Sequence, residues 1–111
     1  TESPGPRLIF RSGYLAVENK FNEKLNYNQT IAEPVIFPKG QWVNVRIKIY
    51  YDPQNGYFKV WQDQQLIIDT PAQSMPFDIW VQDNLEVGIT ATNQETIVMV
   101  DNIRFSDQPL D

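Results

Sequence analysis

The sequence predicts an all-β fold, an antiparallel β-sandwich, and three observations lead there. Apolar and polar residues alternate with a period of two through most of the 111 residues, the pattern of strands with one buried face. Gly, Pro, Asn and Asp punctuate the alternating runs where turns are needed. No stretch carries the apolar stripe of an amphipathic helix. Short strands separated by turn signals build sandwiches, in which the inward faces of two sheets fill one core.

The elements follow in chain order. Residues 7–11 and 14–18 are short candidate strands on either side of Ser12-Gly13, and a weaker one lies at 29–33. Val43, Val45, Ile47 and Ile49 then alternate with Trp42, Asn44, Arg46, Lys48 and Tyr50. Asp52-Pro53-Gln54-Asn55-Gly56 interrupts the pattern, which resumes with Phe58 and Val60 between Tyr57, Lys59 and Trp61. A Pro followed by Asn-Gly reads as the loop of an antiparallel hairpin. Asp63-Gln64-Gln65 is a second tight turn, leading into Leu66-Ile67-Ile68-Asp69. Residues 70–83, with Pro71 and Pro76, are the longest irregular stretch. Leu85, Val87, Ile89 and Ala91 restore the alternation. The last strand, 97–105, opens on the unbroken run Ile97-Val98-Met99-Val100, which predicts cover on both faces and a central position. The expected organisation is one domain over 7–106, with 1–6 a linker or trimmed terminus and 107–111 a tail; a chain of this length holds a single core.

Composition removes whole classes of chemistry. There is no cysteine and no histidine, so disulfides, thiol nucleophiles, serine–histidine triads and histidine-ligated metal centres are excluded. Nine basic residues stand against fourteen acidic ones, a net charge of −5. Such a chain is poorly suited to nucleic acid, where neutralised phosphates supply most of the affinity, or to anionic membrane surfaces. No apolar run approaches the roughly 18 residues that insert into a membrane.

Several clusters could carry a function. If the strands around Val45 and Phe58 pair across their loop, Arg46, Lys48 and Tyr50 lie beside Tyr57, Lys59 and Trp61, on the face opposite the valines. Aromatic rings offer flat platforms to the C–H faces of sugars, and Arg and Lys meet carboxylates or sulfates. The same pairs would equally serve as plain stabilisers of an exposed sheet. Trp42 and Trp80 are further stacking candidates, the latter in Phe77-Asp78-Ile79-Trp80-Val81-Gln82-Asp83-Asn84, which reads either as a binding rim or as a loop capping the core. Asp101, beside Asn102 in an apolar strand, needs a partner; calcium, hydrogen bonds from a neighbouring turn, or Arg104 or another Arg would each provide one. Asn28-Gln29-Thr30 is a formal glycosylation sequon of little weight at three residues.

Gly40-Gln41-Trp42-Val43, Gly56-Tyr57-Phe58-Lys59-Val60-Trp61, Asp63-Gln64-Gln65, Gly88-Ile89 and Asp101-Asn102-Ile103-Arg104-Phe105 together carry a family resemblance. The chain resembles concanavalin A-like jelly-roll domains, nearest the C-terminal half of polysaccharide lyases of the heparin- and alginate-lyase type. The match covers residues 40–106 well and 7–39 loosely. The resemblance implies a jelly-roll sandwich and an association with polysaccharide. It also implies a Lys two residues before Gly88 and a proton-transferring Tyr two after it, whereas this chain has Glu86 and Thr90. Glu86 would repel a uronate and Thr90 is too weak an acid to replace a phenol. The closely spaced carboxylates of the related glucanases are missing too. Domains of this type run to roughly two hundred residues or more, so the chain is expected to be a partial or reduced jelly roll.

The expectation is a non-catalytic carbohydrate-binding or carbohydrate-associated module of a secreted or cell-surface protein, bacterial given the absence of cysteine, with calcium at Asp101 as the one cofactor considered. Its partner would be a polysaccharide, acidic groups included. Two alternatives stand beside it. One is a structural or protein-interaction domain, completed by a second copy or a partner through an open strand edge. The other is part of a lyase whose active site lies mostly elsewhere.

Overall fold

A computed structural model of the chain describes residues 6–19, 25–50, 52 and 54–71. The chain divides into two compact units, Thr1–Trp80 and Val81–Asp111, and every described residue lies in the first. The expected strands around Ile89 and Val100, the loop around Trp80 and the candidate ligand Asp101 fall outside the described residues.

The described residues form two antiparallel three-stranded sheets and no helix. The first sheet holds β1 (Pro6–Arg11), β2 (Tyr14–Asn19) and β3 (Leu25–Tyr27) in that order. The second holds β4 (Val45–Tyr50), β5 (Tyr57–Gln62) and β6 (Gln65–Pro71), again in sequence order. Each pairs neighbours in the chain, as hairpins with short connections do. The β1–β2 turn places Ser12 at φ 54° and Gly13 at φ 87°, two left-handed residues that match the twist of the flanking strands.

Burial follows the period-two pattern most cleanly in β5. Phe58, Val60 and Gln62 are buried while Tyr57, Lys59 and Trp61 are half-exposed. In β6 the alternation breaks, because Ile67 and Ile68 are both fully buried. The pairing explains it: Val60 faces Ile68 but Trp61 faces Leu66. Ile67 is thus the extra residue of a β-bulge, which re-aims a side chain that strict alternation would point outward.

One apolar cluster draws on both sheets: Leu15 and Val17 from β2, Phe58 and Val60 from β5, and Ile67 and Ile68 from β6. The Tyr27 and Phe58 rings meet at 5.4 Å between centroids, joining β3 to β5. Burying a side chain of the size of Phe58 contributes about 1.5–3 kcal/mol relative to leaving it in water.

The connection between the sheets is a bracket of hydrogen bonds rather than the strand expected at 29–33. At its start, Thr30 N donates to Ile67 O at 2.8 Å, and Asp69 N donates to Thr30 Oγ1 at 3.0 Å. At its end, Ile36 bridges to Tyr14, and Phe37 N donates to Gly13 O at 2.9 Å. Between them, the Gln29 side chain imitates a strand partner. Its Oε1 accepts from Val35 N at 2.7 Å and its Nε2 donates to Val35 O at 3.0 Å. A side chain that occupies backbone groups in this way displaces the ladder, and Pro34 next door has no N–H to offer one. The Thr of the Asn28-Gln29-Thr30 sequon therefore has a structural task, fastening this segment to β6.

Candidate functional site: the outer face of the β4–β5 hairpin

The β4–β5 register pairs Arg46 with Trp61, Lys48 with Lys59 and Tyr50 with Tyr57. Ile47 pairs with Val60 and Ile49 with Phe58, so the apolar set faces the core and the other six side chains share the opposite face. The juxtaposition expected from the sequence is present.

Contacts link the six side chains in two groups, one at Trp61 and one at Tyr57. Tyr50 and Tyr57 stack with centroids 5.6 Å apart and planes 28° from parallel. The Arg46 guanidinium carbon lies 5.6 Å from the Trp61 ring centre. The ammonium groups of Lys48 and Lys59 lie 6.0 and 5.3 Å from the centre of the Tyr57 ring. These distances are within reach of cation–π attraction. The face is thus a row of rings with cations set between them.

β6 adds two residues that sequence reasoning missed. Asp69 pairs with Lys59, and Leu66 pairs with Trp61 across the bulge. The alternation Leu66-Ile67-Ile68-Asp69 alone cannot place both on one face, because Leu66 and Asp69 are three apart. Only the extra residue at Ile67 brings them together.

Both ends of the hairpin are braced. In the β4–β5 turn, Asp52 Oδ1 accepts from Gln54 N at 2.8 Å and Asn55 N at 2.6 Å. The amides of Asn55 and then Gln54 hold this exposed carboxyl below its ordinary range, since they favour the charged form. At the other end, Asp63 and Gln64 turn the chain at φ 47° and 69°. Asn44 N donates to Asp63 Oδ1 at 2.9 Å and Asp63 N donates to Asn44 O at 2.8 Å. This pair of hydrogen bonds holds the segment before β4 against the β5–β6 turn.

Trp42 lies in that segment and is 67% exposed, but among the described residues it makes no ring or cation contact with the six. Trp80 and Asp101 lie outside the described residues. Among the described residues, no three carboxylates stand together as a metal cage would need. A concavity of about 410 Å³ lies on the first sheet, lined by Arg11, Ser12, Tyr14, Asn28 and Gln29 among others. It contains none of the residues expected from the sequence, and the Gln29 side chain is already committed to Val35.

The hairpin face can bind flat, weakly polar molecules through its rings and acidic groups through its cations. Comparison with known proteins brings no match from any family, curated protein or solved structure.

Proposed function

We propose that the chain is a non-catalytic carbohydrate-binding module with a jelly-roll frame, belonging to a secreted or cell-surface protein, and that the outer face of the β4–β5 hairpin holds the glycan. One observation carries this reading: the register that sets Tyr50, Tyr57 and Trp61 on one face with Arg46, Lys48 and Lys59. A sugar ring stacks on an aromatic plane through its C–H face, and charged side chains between the rings fix its orientation. Three of the chain's nine basic residues gather on this one face of an acidic protein. Acidic polysaccharides therefore suit it better than neutral ones. Phosphate polymers suit it less, because the whole chain carries −5 and phosphate-dense ligands need a broadly basic surface. Titration with neutral and uronate polysaccharides, followed by tryptophan fluorescence and calorimetry, tests the reading. Binding that weakens on Trp61→Ala supports it, and the absence of binding to either polymer class sinks it.

A second reading, a protein-interaction domain, is favoured by one specific feature. β4 is the outer strand of the described sheet, and its core-side Val45 and Ile47 are 38% and 39% exposed. Another chain laid against β4 would cover them. A second copy fits poorly, since antiparallel β4–β4 pairing sets Arg46 and Lys48 against their own kind. Glycan binding that is unchanged when a proline in place of Ile47 blocks strand addition at β4, with no partner lost from the assembly, would dispose of this reading.

A further inference from the structure

We infer that Asn55 is a site of spontaneous covalent modification, converting to aspartate and isoaspartate within the β4–β5 turn. The chain has nine asparagines, and Asn55 is the one followed by glycine. The reaction is intramolecular. The deprotonated backbone nitrogen of Gly56 attacks Cγ of Asn55, a five-membered succinimide closes, and the Cγ–Nδ2 bond breaks to release ammonia. Water then opens the ring. Attack at one carbonyl leaves an ordinary aspartate in place of Asn55; attack at the other leaves the chain running through the β-carboxyl, as isoaspartate. The balance is one amide and one water consumed, one carboxylate and one ammonium formed, with no oxidant or reductant.

The turn exposes the Asn55 side chain while burying Gly56, so the step depends on how freely the Gly56 nitrogen reaches Cγ. Asn55 is exposed at the turn, and its carboxamide makes no hydrogen bond among the described residues. Gly56 has no Cβ to shield its nitrogen or resist close approach. Asp52 Oδ1 takes the amides of Gln54 and Asn55, which leaves the Gly56 nitrogen outside that bracket. The other described asparagines differ: Asn19 is fully buried and Asn26 lies within β3. Asn44 precedes the β-branched Val45 and is held to Asp63, and Asn28 Oδ1 accepts from Arg11 at 3.5 Å and precedes Gln29.

The product matters because the turn closes directly on Tyr50 and Tyr57, the last pair of the ladder. Isoaspartate adds one carbon to the backbone of the turn and one negative charge beside the stacked rings. Either change works against the geometry of the cationic face, the first through the ladder and the second through charge.

The test is ageing of the full chain at mildly alkaline pH, folded and in urea, followed by peptide mapping and isoaspartate-specific methylation. The expected result is conversion at Asn55 several-fold faster than at any other asparagine in the folded chain. Abolition in Asn55→Gln, whose longer side chain closes a less favourable ring, supports the assignment. Isoaspartate is expected to perturb the near-ultraviolet tyrosine dichroism more than Asn55→Asp does, since that variant adds charge without lengthening the backbone. Conversion in urea but none in the folded chain would overturn the inference, because the fold would then protect the site, Gly56 being buried. Faster conversion at another asparagine would overturn it equally.

Discussion

Lys48 and Lys59 face each other directly across β4 and β5, and both ammonium groups approach the ring of Tyr57. Like charges placed opposite one another in a sheet destabilise it, and attraction to the ring offsets part of that cost. Asp69, opposite Lys59 on β6, offsets a further part of it, and on the proposed reading the cations stay on this face for a ligand. Lys48→Gln is expected to leave the fold intact and to raise its stability by up to about 0.5 kcal/mol. The same substitution is expected to weaken binding to a uronate polymer several-fold. Urea denaturation and calorimetric titration of one protein sample read both effects.

The shared core sets the second expectation. Phe58 is fully buried and meets Tyr27 of the other sheet. Phe58→Ala is expected to cost about 3–5 kcal/mol by chemical denaturation. That is a large fraction of a small domain's total, so the variant is expected to be partly unfolded at room temperature. Lys48→Gln, on the opposite face, provides the contrast.

The β5–β6 turn separates two kinds of strained residue. Asp63 and Gln64 both adopt left-handed backbone, at φ 47° and 69°, a conformation that costs a residue with a Cβ roughly 1 kcal/mol. Gln64→Gly is expected to stabilise the protein by up to about 0.5 kcal/mol, the relief being reduced by the greater freedom of glycine in the unfolded chain. Asp63→Gly is expected to bring no gain, since it removes the acceptor for Asn44 N. Thermal unfolding of the two variants side by side distinguishes them.

Two groups link stability to pH, from opposite ends. The Asp52 carboxyl is held below its ordinary 3.8 by the amides of Asn55 and Gln54. Its contribution is fully present above that ordinary value and is lost as pH falls through the lowered one. Asp52→Asn is expected to remove this acid-range component. Tyr27 is raised above 10.0 by burial. Its contribution is fully present below 10.0 and is lost as pH rises through the higher folded value, and Tyr27→Phe is expected to abolish that alkaline component. Stability measured in urea across acid and alkaline series checks both signs.

Much of the hairpin is legible in the sequence because its signals agree. Val45, Ile47 and Ile49 alternate against Phe58 and Val60, and Asp52-Pro53 with Asn55-Gly56 sets the loop between them. A period of two then leaves little choice of face. The places that escape are those where side chains or extra residues replace the regular ladder. Gln29 stands in for a strand partner of Val35, so the strand expected at 29–33 is absent and β3 lies earlier, at Leu25–Tyr27. Ile67 is inserted as a bulge, and no local pattern announces which residue of Leu66-Ile67-Ile68 is the extra one. For the same reason the sequence does not announce Asp69 as a neighbour of Lys59. Trp42 shares the alternation of Arg46 and Lys48 in sequence, yet the strand begins only at Val45, and the parity of residues outside a strand carries no information about its face.

The proposed role of the rings and cations of the β4–β5 face is to bind a polysaccharide. Its most direct test is the affinity of the folded chain for a uronate polymer, measured by titration at low and moderate salt, beside Trp61→Ala and a neutral polymer. The expected result is saturable binding that weakens with salt, prefers the uronate polymer, and falls roughly tenfold on Trp61→Ala, a loss of about 1.4 kcal/mol. Equal binding by the parent chain and Trp61→Ala, or no binding to either polymer, would contradict it.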